Sequence, residues 1–302
     1  MRAATSAFAE PVALGRSRLA DYVELTKPRI SVMVLITVAA GALLGSSGIP
    51  DWWLLWHTLL GTALVAAGAS ALNQFLERDS DALMERTENR PLPAGRLQAS
   101  EVLVLGSLLG IAGVAYLAIA LPRPLAAVTA ALTFFCYVFV YTPLKRRTSL
   151  NTLVGAVPGA LPPVIGWAAV RGSIDWDILG LFAILFIWQV PHFLAIAWIY
   201  RDDYGRAGLC MLPVVDRRGA VTGRQMLAYT CALVPASLSP LVFGQAGVVY
   251  FIGAIVLGVG FLVFAIAFLR NRSIGTARGV LRASLVYLPV LLALLLLDGV
   301  TR

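Results

Sequence analysis

The hydrophobic positions of this chain come in runs of about twenty residues, and the polar positions gather in the gaps between them. A helix needs about 20 mostly apolar residues to cross the roughly 30 Å hydrocarbon layer of a bilayer. Runs of that length predict nine spans, near 30–49, 52–75, 100–120, 124–142, 151–170, 177–199, 226–244, 248–269 and 281–298. Glycines and prolines fall inside several, which membrane helices tolerate where neighbours re-satisfy the backbone. The two longest polar gaps, 76–99 and 200–225, each follow the second run of a group of four. The pattern predicts an all-α polytopic membrane protein of two four-helix halves plus one extra helix. An N-terminal tail over 1–29 precedes a single transmembrane domain over 30–302.

Composition narrows this further. Hydrophobic residues make up 59% of the 302 and charged residues only 13%, against about 25% charged in ordinary soluble domains. A soluble core could not use so much apolar surface without exposing it. Disordered chains, disulfide-built secreted domains and soluble multidomain enzymes are excluded on this ground. The three cysteines, Cys136, Cys210 and Cys231, have no metal-binding or redox spacing and read as small packing residues.

The net charge of +8 raises the question of a nucleic-acid partner, but the positions of the charges answer it. Of the 24 basic residues, 21 fall in the N-terminal tail and in every second gap after it; only Arg123, Arg171 and Arg302 fall on the other side. Such a bias marks the cytoplasmic face of a membrane protein. It predicts a cytoplasmic N-terminus, an external C-terminus, the lipid bilayer as the partner of the chain's surface and no nucleic acid. The tail lacks the apolar core of a secretory signal, and a bacterial plasma (inner) membrane is the expected location.

Most of the polar chemistry lies on the same side. In ALNQFLERDSDALMERTENRPLPAGR, Asn73, Glu77 and Asp81 are four apart, so on a helix they step about 40° around one face. Asp79 falls between them and points elsewhere on a continuing helix. Two carboxylates and an amide form an oxygen-only set suited to Mg²⁺ completed by substrate phosphates. Arg86, Arg90 and Arg96 follow and could meet phosphate oxygens. Spacing alone leaves three readings open: a solvated helix end with internal ion pairs, a transporter's ion site, or an enzyme acting on a lipid diphosphate.

A resemblance bears on that choice. The arrangement Asn-x3-acid-x3-Asp followed by RTxxRPL resembles the signature of the UbiA-type intramembrane prenyltransferases. Within them, NQFLERDSDALMERTENRPLPAGR, YTPLKRRTSLNTLVGAVPGALPPVIGW and WQVPHFLAIAWIYRDDYGRAGLCMLPVVD are similar to the haem O synthase branch. The resemblance spans roughly residues 25–298. It implies an Mg²⁺-dependent enzyme that moves the farnesyl group of farnesyl diphosphate to a vinyl group of haem b, giving haem O and diphosphate for haem A and terminal oxidase biogenesis. Partners in haem A synthesis or oxidase assembly, such as haem A synthase, are part of that expectation.

Carried onto this chain, the resemblance gives Asn73, Glu77 and Asp81 the catalytic metal-binding role, with Glu77 where many members have aspartate. Arg86, Arg90, Lys145 and Arg146 would bind diphosphate, and the last two could also reach haem propionates. The quinone-making relatives carry a second pair of aspartates four apart. Here the residue four after Asp202 is Arg206 and the residue four after Asp203 is Ala207, so only an Asp202–Asp203 cluster can assist there. His192, one of two histidines, reads either as a bundle residue hydrogen-bonded to its neighbours or as a haem contact. The aromatic positions Phe134, Tyr137 and Tyr141 read either as packing or as faces that steady an allylic cation. The competing expectations are an aromatic or quinone prenyltransferase and, from another class, a transporter or a non-catalytic membrane assembly protein.

Overall fold

In the computed structural model, which describes residues 17–46 and 51–300, the apolar runs are helical. Among the described residues nine helices are long and apolar enough to cross a membrane. They are Pro28–Gly45, Trp52–Asp81, Ala99–Ala120, Leu125–Leu144, Asn151–Arg171, Trp176–Ile199, Ala220–Val242, Val248–Arg270 and Ile274–Asp298, here the first to ninth spans. The all-α, nine-span expectation stands. Several ends differ: the second span runs on to Asp81, and the seventh and ninth begin at Ala220 and Ile274. Polar residues ended the apolar runs in the sequence, but they do not end the helices. Of the expected tail, residues 1–16 lie outside the described residues, as do 47–50 at the expected end of the first run. The remainder of the tail includes a short helix, Arg18–Leu25, N-capped by Ser17.

Lipid tails are as apolar as leucine, so membrane helices gain little by hiding apolar surface from them and associate through close packing of small residues. The first and fifth spans cross that way: a Cβ on Gly41 would overlap the Pro163 carbonyl, and one on Gly166 the Val38 carbonyl. The second and third spans meet at Gly68, where a Cβ would lie 2.5 Å from the Gly110 nitrogen. The ninth span packs on the sixth and eighth and touches the first.

Two local departures aim side chains at the polar end. The fourth span widens into a π-helical turn over Cys136–Tyr141, a form frequent at functional sites. Lys27 precedes the first span with φ +48°, the one non-glycine residue with positive φ among those described. A left-handed backbone costs an L residue about 1–2 kcal/mol, so the contacts of Lys27 must hold it there.

Candidate active site

The second span continues as helix through Asp81, and the spacing of four therefore keeps Asn73, Glu77 and Asp81 on one buried face. Asp79 lies on the opposite, solvent side, beside Arg78. The three buried residues line a cavity of about 380 Å³. Its wall draws on the N-terminal segment, the first, second, fourth, fifth and sixth spans, and the two long loops, and includes Lys27, Arg86, Arg90, Tyr137, Tyr141, Lys145 and Tyr204.

Each oxygen-bearing residue of the trio meets its own basic residue. Lys27 Nζ donates to Asn73 Oδ1 at 2.8 Å, Lys145 Nζ to Glu77 Oε1 at 2.6 Å, and Arg90 Nη1 to Asp81 Oδ2 at 2.6 Å. Asn73 Nδ2 donates to Thr142 Oγ1 at 3.2 Å, and that hydroxyl donates to the Tyr137 carbonyl within the π turn at 2.9 Å. The amide is thus oriented with its oxygen toward Lys27. Burial opposes the charge on Lys145, but Glu77 beside it holds the ammonium well above its usual range. Burial first, and then the charge of Arg90, pull the Lys27 ammonium down to about 7.

The donor set fits Mg²⁺. Asp81 is fully buried, and its Oδ1 has no hydrogen-bond partner. Gln74 Oε1, on the same cavity wall, is likewise unpartnered. An orphaned carboxylate oxygen beside a second carboxylate and an amide oxygen is what a hard cation takes. Among the described residues no three histidines, cysteines or carboxylates gather at one point. Two carboxylates and an amide leave most of an octahedral shell to other oxygens, such as those of a phosphate.

The remaining expected residues divide. Arg86 lines the cavity; its guanidinium lies 5.1 and 5.5 Å from the ring centres of Tyr200 and Tyr204, and it donates to the Tyr204 hydroxyl at 3.2 Å. Arg146 is exposed and outside the cavity wall. Asp202 and Asp203 lie in an adjoining, more open cavity of about 570 Å³ that shares Arg86 with the first. The Asp202 side chain is 90% exposed; Asp203, 13% exposed, pairs with Arg206, which also reaches Glu85 at 3.0 Å.

His192 lies between the sixth and ninth spans and is not part of the cavity wall. Its ring stacks on Trp188 at 4.9 Å, and Nδ1 is 2.8 Å from Ser284 Oγ. The Ser284 hydroxyl donates to the Leu281 carbonyl at 2.7 Å, so its one hydrogen is spent and it accepts from Nδ1, leaving Nε2 as the open ring position. Of the aromatic positions, Tyr137 and Tyr141 line the cavity while Phe134 packs against Gly110.

Sequence reasoning missed Lys27 as a residue of this cavity. One signal was available: only two of the 24 basic residues are lysines, Lys27 and Lys145, and both stand in this cavity. A lysine carries a compact charge on a flexible stem, whereas arginine is a rigid fork.

The model of the UbiA prenyltransferase family matches residues 34–295. The chain is 46% identical over 287 residues to the protoheme IX farnesyltransferase of Solibacter usitatus (strain Ellin6076), covering 92% of this chain and 98% of that protein. It is 48% identical over 283 residues to the protoheme IX farnesyltransferase of Salinibacter ruber, again covering 92% and 98%. Among solved structures, the fold is similar to a digeranylgeranylglyceryl phosphate synthase at a TM-score of 0.79 and 16% identity, over 94% of this chain and 99% of that one. It is also similar to a UbiA homolog from Archaeoglobus fulgidus bound to GPP and Mg²⁺, at a TM-score of 0.64 and 17% identity, over 93% and 98%.

Proposed function

Because the chain belongs to the UbiA prenyltransferase family, we propose that this integral membrane enzyme transfers the farnesyl group of farnesyl diphosphate to a vinyl group of protohaem IX, giving haem O and diphosphate. The observation that carries this reading is the buried face of Asn73, Glu77 and Asp81 opposed by Lys27, Arg86, Arg90 and Lys145 in one cavity. The names of the curated relatives supply the acceptor and the chain length.

The membrane location follows from the donor. A farnesyl chain has fifteen carbons, and burying each CH₂ is worth about 0.8 kcal/mol. The tail belongs among apolar side chains or lipid, and the diphosphate belongs at the polar rim. Arg86, Arg90 and Lys145 bind diphosphate oxygens. When the bond from carbon to diphosphate breaks, its electron pair leaves with the diphosphate, and these cations stabilise the charge that develops. Mg²⁺, bound by Asn73, Glu77 and Asp81, would neutralise the same charge. Tyr137 and Tyr141 present ring faces to the allylic cation left behind. The vinyl π electrons form the new carbon–carbon bond and leave a cation on the other vinyl carbon; a water adds there through its oxygen and gives up a proton to solvent, which leaves the hydroxyl of the product.

His192 is read as a contact for the porphyrin through Nε2, with Asp202 and Asp203 assisting at the rim and Arg146 within reach of propionates. Residues 30–302 act as one catalytic unit. The cavity faces the cytoplasm of a bacterial cell, with the C-terminus outside, as the Lys and Arg bias predicts. The product would pass to haem A synthesis or oxidase assembly.

The test is to incubate the purified protein in lipid with haem b, farnesyl diphosphate and Mg²⁺ and to read the porphyrin mass. A farnesylated, hydrated haem is expected. A porphyrin left unchanged while an aromatic acceptor is prenylated would assign the chain to another branch of its family. No transfer to either acceptor would remove the enzymatic reading.

A further inference from the structure

The cavity-lining faces of the fifth and sixth spans continue inward, away from the polar end. On the sixth span Phe193 and Ile196 line the cavity, and Gln189, four residues before Phe193, lies on the same face. Gln189 is ten residues from the end of that span at Ile199, about 15 Å at 1.5 Å per residue and so near the middle of a hydrocarbon layer of about 30 Å. On the fifth span Thr152 lines the cavity, and Gly159, seven residues on, shares its face. Gly159 is exposed between buried Pro158 and buried Ala160. The helix breaks just beyond it, between Asn151–Ala160 and Pro162–Arg171. A helical carbonyl is met by the N–H three or four residues on; for Gly159 both are prolines, Pro162 and Pro163, which have none. Gln189 is 4% exposed, and its Nε2 donates to the Leu185 carbonyl at 3.0 Å and the Ala156 carbonyl at 3.4 Å. Both amide hydrogens are spent on carbonyls, which fixes the orientation of the group, and among the described residues no donor reaches Oε1. That oxygen lies against Gly159, where a Cβ would overlap it.

We propose that Gln189 Oε1, together with the Gly159 carbonyl, positions the water that hydrates the porphyrin after its vinyl group has been alkylated. This rests on the haem-farnesylating reading of the cavity. Once the new carbon–carbon bond has formed, the vinyl carbon next to the ring is a cation with two fates. Loss of a proton from the neighbouring carbon to solvent gives an alkenyl porphyrin. Attack by a water lone pair makes a carbon–oxygen bond, and release of a proton from that water to solvent leaves the alcohol. A water in an apolar surround needs at least two polar partners to be held, and the amide oxygen and the free carbonyl are two acceptors. A water that donates both hydrogens to them turns its lone pairs the other way, toward the cation. Neither acceptor takes the proton; they only hold and aim the water. His192, read as the porphyrin contact, is three residues from Gln189 on the sixth span, so the two lie about one helical turn apart.

The experiment supplies the full chain in nanodiscs with haem b, farnesyl diphosphate and Mg²⁺ and resolves the porphyrin products by mass, with a melting curve for each variant. The wild type should give the alcohol. Gln189→Met keeps the length of the side chain and removes the acceptor, so the ratio of the alcohol to the alkenyl product, lighter by one water, should fall at least about tenfold. Gly159→Ala drives a Cβ into Oε1 and should shift the ratio the same way with Gln189 in place. Gly166→Ala, which strains the same span at its crossing with the first, should lower stability and leave the ratio alone. An unchanged ratio in folded Gln189→Met would overturn the proposal; if that variant does not fold, Gly159→Ala decides by the same reading. An equal shift in Gly166→Ala would also overturn it, since loosening alone would then account for the change. So would a folded Gln189→Met protein that forms no carbon–carbon bond, because the water acts only after that bond. A wild type that farnesylates no porphyrin would instead remove the proposed function itself, a result distinct from an unchanged product ratio.

Discussion

Glu77 and Asp81 are carboxylates on one helix face, yet their oxygens are used differently. Glu77 reaches Lys145 through Oε1, while Asp81 pairs one oxygen with Arg90 and leaves the other unpartnered. Shortening Glu77 to aspartate keeps the charge and draws it back from Lys145. We expect Glu77→Asp to retain activity within about tenfold, with a raised Mg²⁺ requirement; a loss as large as that of Glu77→Gln would contradict this. His192 calls for a different experiment. If Nε2 meets porphyrin, His192→Ala should weaken haem binding at least about tenfold and leave farnesyl diphosphate binding in Mg²⁺ unchanged. If the histidine only packs, removing its bond to Ser284 should lower the melting temperature and weaken both ligands together. At this scale the trio was legible because spacing of four on one helix is a local pattern. Lys27 was not, since it meets Asn73 across 46 positions through a backbone turn that no residue type announces.

Helix ends and irregular turns decide which side chains share the cavity. Hydropathy ends the second run near residue 75, but the helix reaches Asp81, because a buried polar face paired with Lys145 and Arg90 sustains it where apolar character stops. The π turn in the fourth span has no sequence signature in its run of apolar and aromatic residues, yet it contains Tyr137 and Tyr141 and leads into Lys145. The close crossing of the first and fifth spans makes a sharper prediction. A Cβ at Gly166 would overlap backbone of the first span, and overpacking costs about 1–3 kcal/mol, occasionally more. Gly166→Ala should lower the melting temperature in detergent by several degrees. An unchanged melting curve would mean the two spans are not so closely apposed.

For the whole molecule, nine spans were readable because each must supply about 20 apolar residues of its own, independent of its neighbours. How the spans pack was not readable, since small-residue crossings join distant segments. The charge bias adds orientation: Arg217, Arg218, Arg224, Arg270, Arg272, Arg278 and Arg282 are all exposed and lie at the same end of the seventh to ninth spans. In a background with Cys136, Cys210 and Cys231 replaced, single cysteines at Asp51 or Ser173 should react with impermeant reagents from outside, and those at Asn89 or Arg218 from the cytoplasm. Labelling of both pairs from one face would break the alternation.

Everything proposed for the cavity turns on whether the buried face ending at Asp81 holds the metal and the diphosphate of a prenyl transfer. The deciding rate is that of porphyrin farnesylation by Asp81→Asn beside Arg147→Gln in the same lipid, with folding checked by melting. Asparagine keeps the size of Asp81 and removes the charge that a bound Mg²⁺ would need, so on the proposed reading turnover should fall at least about 100-fold. Arg147 is exposed and outside the cavity wall, so its variant should stay within a few-fold of the wild type. Wild-type turnover by a folded Asp81→Asn protein would contradict the claim.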